Sequence, residues 1–396
     1  MTALRAAWTR ARRLLRDAGP LWTASLVLDR AGLPALGLWP RRAFSPETLT
    51  DQVTSILRAW GMPEDQIAVT AEHLLYADWH GIDSHGCAML LEYHRGVTAG
   101  RWNTAPRIEV VREGPTTALV DGGGGLGHVP ADTAMKLAIA KCRGTGLGAV
   151  AVRNSGHFGA AGAYAALAAR EGLLGVATTN TRTPAVVPTF GIQAVLGTNP
   201  LAVAAPARRN RPFLLDMATS TVPLGRLLTA WRKGCSIPAG WALDPAGRPV
   251  TSPRRAAAHR RLTPLGSRPE LGSHKGYGLA AAVEILCGVL PGLCSRDQAV
   301  AEPRVGHFFL ALDPGWFSDG DTFGEDLDVL LDSLRSSTPR NPRQPVLVAG
   351  DPEYAAKEER LRRGIPLSRG VVEDLRTICR AWEVPFLLEA KAVVRP

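Results

Sequence analysis

The chain has 396 residues, 45% of them hydrophobic and 21% charged, enough apolar material for a large core in one two-part domain or in two domains. No apolar run is long enough to span a bilayer. Of the net charge of +10, an excess of six lies in residues 1–42, where eight arginines face only Asp17 and Asp29; with no basic stripe interleaved with aromatics elsewhere, nucleic-acid binding is not expected.

Residues 1–20 are arginine-rich and acid-poor, and the apolar stretch Leu21–Leu28 that follows is cut short by Asp29-Arg30 without a clear small-residue cleavage site. Residues 1–42 therefore read as a basic extension dispensable for chemistry: a loosely held amphipathic helix, a surface-binding arm or an over-called start. Contact of this extension with an anionic membrane surface is the weaker alternative. Cys87, Cys142, Cys235, Cys287, Cys294 and Cys379 show no CxxC spacing and fall mostly in apolar or helical stretches. They read as buried, reduced thiols of a cytoplasmic protein, with neither a disulfide framework nor a metal site.

Ser45-Pro46-Glu47 is a helix start, and Leu49, Val53, Ile56, Leu57 and Trp60 recur at helical spacing until Gly61. A second helix, about Pro63–His80, puts Ile67, Ala71, Leu74, Leu75 and Ala77 on one face. These helices open a helical part, residues 43–115, and deliver the polar, turn-rich segment Gly81-Ile-Asp-Ser-His-Gly86, after which Met89–Val97 resumes as a helix. Ser84 and His85 thus stand on a loop held by a helix hairpin, where function concentrates; an ordinary turn with a solvated histidine fits the same residues.

Thr117–Asp121 reads as a strand, Asp121–Gly127 as a glycine loop and Pro130–Thr145 as a helix. The glycine spacing is not G-x-G-x-x-G, so the loop reads as a turn that lets backbone approach a ligand or a second subunit. In Ala149–Tyr164, β-formers hand over through Asn154-Ser155-Gly156 to the helix formers Ala160–Arg170, placing His157 between Gly156 and Gly159 at the junction. Unpaired N–H groups at such a helix head attract anions, and a histidine there suits proton exchange as well as simple capping. Leu173–Thr178 completes a strand, helix and strand, the sign of a right-handed crossover.

The polar loop Thr179–Pro184 carries Asn180 and Arg182, and the apolar strands in Leu196–Pro206 and Phe213–Ser220 end in Asn, Asp, Thr and Ser that converge on a cleft. Residues 232–272 read as a surface excursion with one short helix. Lys275 is expected just before an apolar helix, Leu279–Val289, where it can hold phosphate or simply be solvated. Gly306–Leu312 and Pro345–Val348 read as strands, and Asp351–Val384 as two charged amphipathic helices separated by Gly364-Ile-Pro366.

Seven segments, Asp83–Gly86, Asp121–Gly127, Ser155–Gly159, Thr179-Asn180, Leu196–Pro200, Asp216–Ser220 and His274–Gly278, occur in the order found in the type 2 malate/L-lactate dehydrogenase family, which the chain resembles over about residues 45–385. The resemblance implies a homodimeric oxidoreductase that uses NAD or NADP on small 2-hydroxy or 2-oxo acids, some members instead reducing cyclic imino acids. It implies an α/β fold with a mixed-sheet, non-Rossmann cofactor domain, residues 116–345, and a helical subdomain made by the chain ends, residues 346–396 packing on 43–115. Carried over by position, His157, His85 and Ser84 are catalytic and Asn180 orients substrate. The cofactor segments are His157, Phe158 and Gly159; Asp216, Met217, Ala218, Thr219 and Ser220; Lys275 and Gly276; and Gly350 with Asp351, where a Pro-Gly-Glu turn is altered. The family's arginine four residues after the motif histidine is Met89 here, and Arg182 is the candidate to pair a substrate carboxylate in its place.

Overall fold

The computed structural model describes residues 42–181, 183–232, 234–293, 305–319 and 322–389, so the basic extension up to residue 41, Arg182 and Cys294 lie outside the described residues. In chain order the elements begin with β1 (Arg42–Phe44), α1 (Pro46–Ala59), α2 (Glu64–Trp79), α3 (Leu90–Thr98), β2 (Glu109–Glu113) and β3 (Thr117–Asp121). They continue with α4 (His128–Thr145), β4 (Leu147–Ser155), α5 (Gly162–Arg170), β5 (Leu174–Thr179), β6 (Leu201–Ala205) and β7 (Phe213–Met217). The last are α6 (Leu224–Arg232), α7 (Pro253–His259), α8 (Ser273–Glu284), β8 (Val305–Leu312), α9 (Thr322–Ser336), α10 (Asp351–Arg363), β9 (Ile365–Leu367) and α11 (Arg369–Ala381).

Ser45 caps α1 by accepting the Thr48 N–H at 3.1 Å, with Pro46 at the first helical position. The apolar stripes of α1, α2 and α3 close a core with Val372, Leu375 and Ile378 of α11, and β1 pairs antiparallel with β9. Gln52, fully buried in α1, donates to Pro385 O at 3.3 Å and accepts the Leu387 N–H at 2.7 Å. The segment Gly364–Pro366, expected only to separate two helices, thus contains a strand, because β1 offers it a free edge.

The larger layer is a seven-stranded mixed sheet ordered β2-β3-β4-β8-β5-β6-β7. β3 and β4 are parallel, whereas β8 runs antiparallel to both β4 and β5 and separates them. The expected crossover β4-α5-β5 is therefore present but steps over a strand that arrives much later in the chain. Two glycines let helices settle on this sheet: a β-carbon on Gly148 would lie 1.9 Å from Ala138 O of α4, and one on Gly175 would lie 2.4 Å from Ala165 O of α5.

Several expectations are corrected. The helix placed at Leu279–Val289 starts at Ser273, after Gly272 in the left-handed region, and Ile285–Val289 is a π turn at its end, so Lys275 is inside the first turn. Pro345–Val348 forms no strand, because the Val348 N–H is taken by the Asp351 carboxylate at 2.9 Å in a turn before α10. Cys235 is exposed, whereas Cys87, Cys142, Cys287 and Cys379 are buried free thiols. The excursion after α6 packs Ile237, Ala242, Val250, Ala256 and Leu262 into a small core shared with Ala185, Val186, Val222 and with Leu227 of α6. It is also a second basic concentration, residues 221–272 carrying nine Lys and Arg against Asp244 and Glu270. Among the described residues no helix is long and apolar enough to cross a membrane.

Because the α4–β4 contact is backbone on backbone, Gly148→Ala is expected to destabilise the fold by about 1–3 kcal/mol through overpacking. The urea unfolding midpoint reads this directly, and a midpoint equal to the parent's would contradict so close an approach.

Candidate active site

The loop that carries Ser84 and His85 is fixed from below by Asp78, buried in the last turn of α2, whose carboxylate accepts the Cys87 N–H at 2.7 Å. A β-carbon on Gly86 would lie 2.2 Å from the Asp78 carboxyl carbon, so glycine is required there. From the far end of the chain, Arg360 of α10 donates to Asp78 O and to the Asp83 carboxylate, each at 2.6 Å. On this support Ser84 Oγ and His85 Nδ1 are hydrogen-bonded at 2.8 Å, and burial lowers the His85 pKa.

Opposite stands His157, just beyond β4. The Gly127 N–H donates to His157 O at 2.9 Å, and a β-carbon on Gly127 would lie 2.3 Å from Gly156 O. The close approach permitted by the glycine loop is therefore made to the His157 turn of the same chain. His157 Nδ1 receives the Gly159 N–H at 3.2 Å and lies 2.7 Å from the buried Tyr93 hydroxyl. An amide N–H can only donate, so Nδ1 is the acceptor and the neutral ring carries its proton on Nε2. Burial, then the neighbouring His85, lowers the His157 pKa to about 3. The rings of His85 and His157 face each other with centroids 5.5 Å apart and planes 24° from parallel.

A third histidine, absent from the sequence-derived set, holds this arrangement. His307 of β8 is fully buried, with Nδ1 at 2.7 Å from Thr179 Oγ1, Nε2 at 2.8 Å from Ser155 Oγ, and Phe158 stacked on it at 4.6 Å. Burial lowers its pKa to about 3. Its signal in the sequence was a lone imidazole inside an otherwise apolar strand. Asn180 reaches the same sheet end, but its amide accepts the Gly306 N–H at 3.0 Å and donates to Glu284 at 2.8 Å. Glu284, also unanticipated, receives Asn199 Nδ2 at 3.0 Å. Met89 packs against the helical core.

The cofactor candidates fall into three places. Asp216 accepts the Gly162 N–H at the head of α5 at 2.8 Å, and burial raises its pKa to about 6. Met217 lies in the β6–β7 ladder opposite Leu201, and Ala218 leads on to Thr219 and Ser220, whose hydroxyls donate to backbone: Thr219 to Asn199 O at 3.0 Å, Ser220 to Val222 O at 2.9 Å. Thr219 O accepts the Leu265 N–H at 2.8 Å, and Gly276 packs on Leu265, joining this turn to the head of α8. That head has no side-chain cap, and Lys275 is exposed in its first turn. Gly350 and Asp351 stand apart near the start of β7, where Leu214 N–H donates to Ala349 O at 3.2 Å and Arg335 grips the Asp351 carboxylate at 2.8 and 3.1 Å.

Residues 44–376 match the family described as malate/L-lactate dehydrogenase. The chain belongs to this family. It is 41% identical over 333 residues to a malate dehydrogenase of Pyrococcus horikoshii, covering 83% of this chain and 92% of that protein. It is 36% identical over 339 residues to an L-sulfolactate dehydrogenase of Methanocaldococcus jannaschii, covering 84% and 95%. The crystal structure of malate dehydrogenase from Entamoeba histolytica superimposes with a TM-score of 0.82 at 32% identity, covering 87% of this chain and 99% of that one.

The buried groups set an acid sensitivity. The folded pKa falls from 6.5 to about 4 in His80 and to about 3 in His157 and His307, so between those values and 6.5 only the unfolded chain binds these protons. Asp78 and Asp216, raised from 3.8 to about 6, act in the opposite sense between those values. Three larger effects outweigh two smaller ones, so the melting temperature is expected to fall as pH drops from 7 to 5; a rise on acidification would refute neutral burial of the histidines.

Proposed function

We propose that the chain is a nicotinamide-dependent dehydrogenase interconverting small 2-hydroxy and 2-oxo acids, with NAD or NADP as hydride carrier. Its family membership makes it an oxidoreductase acting on hydroxy or oxo acids. The observation that supports the mechanism is the facing pair of uncharged imidazoles, His85 and His157, one of them held in a single tautomer. The cofactor reading is supported by the uncapped head of α8 with Lys275 exposed in its first turn, a place suited to a phosphate. When bound, the nicotinamide ring supplies or accepts the hydride.

The protein's own part is binding, orientation and a proton. His157 presents Nε2–H to the substrate oxygen, and Tyr93 and Gly159 hold that ring in place. His85 takes the hydroxyl proton on Nε2 during oxidation and returns it during reduction, while its Nδ1–H donates to the Ser84 hydroxyl in both states and fixes that tautomer. Two facing imidazoles disfavour double protonation, so a single proton is exchanged at a time. The family and the exposed apolar Ile285, Val289 and Leu290 support a homodimer, and the four buried thiols support a cytoplasmic setting.

Oxidation of NADH and NADPH with a panel of 2-oxo acids and cyclic imino acids tests the reading. His85→Ala is expected to lower kcat by about 10²–10⁴-fold and to abolish the acid limb of the pH profile. His157→Asn is expected to lower kcat while keeping that limb. Loss of the limb in His157→Asn alone would exchange the two roles, and turnover of imines alone would make the protein a reductase.

A further inference from the structure

Behind the His157 turn, α2 and α4 meet through polar side chains that the proton exchange does not use. His73 of α2 and Asp132 of α4 are both buried, and His73 Nε2 lies 2.9 Å from Asp132 Oδ1. An ionised carboxylate can only accept, so the imidazole donates. The other Asp132 oxygen takes the ammonium of the exposed Lys136 at 2.7 Å. The His73 ring packs on Tyr164 of α5 with centroids 4.4 Å apart, and the Tyr164 hydroxyl donates to Phe158 O at 2.6 Å. A β-carbon on Gly159 would lie 3.4 Å from Nε2 of His128, the first residue of α4, and 3.7 Å from His73 O. Phe158 and Gly159, the two residues that follow His157, thus rest on His73 and on the head of α4.

Each of the two bonded helices leads to one wall of the candidate site. Asp78, five residues beyond His73 on α2, is the carboxylate beneath the Ser84–His85 loop, and the helix carries that position over about 7.5 Å. α4 starts directly after Gly127, whose N–H holds His157 O at 2.9 Å. The His73–Asp132 bond therefore joins the element that ends in the His85 wall to the element that begins under the His157 wall. Apolar contact between two helices is non-directional and tolerates small sliding, whereas a buried bond to a carboxylate has one register, because a slip leaves a charge without its partner. We infer that His73 and Asp132 are positioning residues that fix the 5.5 Å spacing of the His85 and His157 rings. Their effect on rate rests on the dehydrogenase reading above. A misplacement of about 1 Å between reacting groups costs about a hundredfold, so the bond matters although both residues are buried behind the site.

The test uses the full chain and the variants His73→Leu, His73→Gln and Asp132→Asn. Glutamine keeps a donor at about the reach of imidazole Nε2, and asparagine keeps the acceptor. With the nicotinamide and 2-oxo acid that the parent turns over, kcat is expected to fall about tenfold to a hundredfold in His73→Leu and to recover in large part in His73→Gln and Asp132→Asn. The KM for the nicotinamide and the midpoint of the acid limb stay as in the parent, and the isotope effect from deuterated nicotinamide rises in His73→Leu as the hydride step slows. A parental kcat in His73→Leu, or a glutamine variant as slow as the leucine one, overturns the inference. If His73→Leu does not fold, Asp132→Ala takes its place with the same expectations. Crystal structures of parent and variant carry the test without turnover: a changed spacing of the two rings upholds the inference, and an unchanged one overturns it whatever the rates. Absence of turnover by the parent together with a changed spacing in the variant counts against the dehydrogenase reading alone.

Discussion

One buried imidazole joins the ends of three strands, and the candidate active site depends on it. The Thr179 hydroxyl has a single proton and directs it to a backbone carbonyl, Asn180 O at 2.9 Å or Gly306 O at 3.0 Å, so it must accept from His307 Nδ1–H. Nε2 of the same ring then accepts from Ser155, and both ring nitrogens are satisfied without charge. β4, β8 and β5 are thereby pinned together where β4 turns into the His157 segment, and Phe158 is clamped on the ring that does the pinning. The low dielectric that makes these bonds strong also makes an imidazolium costly there.

The facing wall has a different origin. His85 rides on a loop whose shape is set by a carboxylate under a glycine and by an arginine from α10, so the site lies on the seam between the helical core and the sheet core. Each wall is rigid for its own reason, and the gap between the two rings is set by how the cores meet. Tyr93 crosses that seam, belonging to the helical core while bonding His157 of the sheet layer.

Motif residues were legible because their chemistry is local: Ser84, His85 and His157 stand on turns flanked by glycines that the sequence displays openly. The α1 cap and the stripes of α1 and α2 were legible for the same reason. What was hidden depends on partners far along the chain. Nothing near β4 or β5 announces that β8 will separate them, and His307 is masked by the apolar strand that carries it. Asn180 reads as a free amide until Gly306 and Glu284 are brought beside it. The start of α8 was misplaced because its first turn is polar and glycine-rich, so its periodicity becomes visible only after Leu279. The second basic concentration does not stand out in the sequence because its residues, single and in adjacent pairs, are spread over some fifty positions between apolar ones.

The pairing of β1 with β9, and the burial of Gln52 against Pro385 and Leu387, also set an order of events during synthesis. When α1, α2 and α3 leave the ribosome, the residues that will cover Leu49, Val53 and Ile56 have not been made. At about 5–20 residues per second, the roughly 270 residues between α3 and α11 take about 15–50 s to translate. For that interval an apolar helix hairpin is without its cover, a natural substrate for chaperones that hold nascent chains. The arginine that steadies the His85 loop is likewise among the last residues delivered, so that loop gains its full support only as translation nears its end.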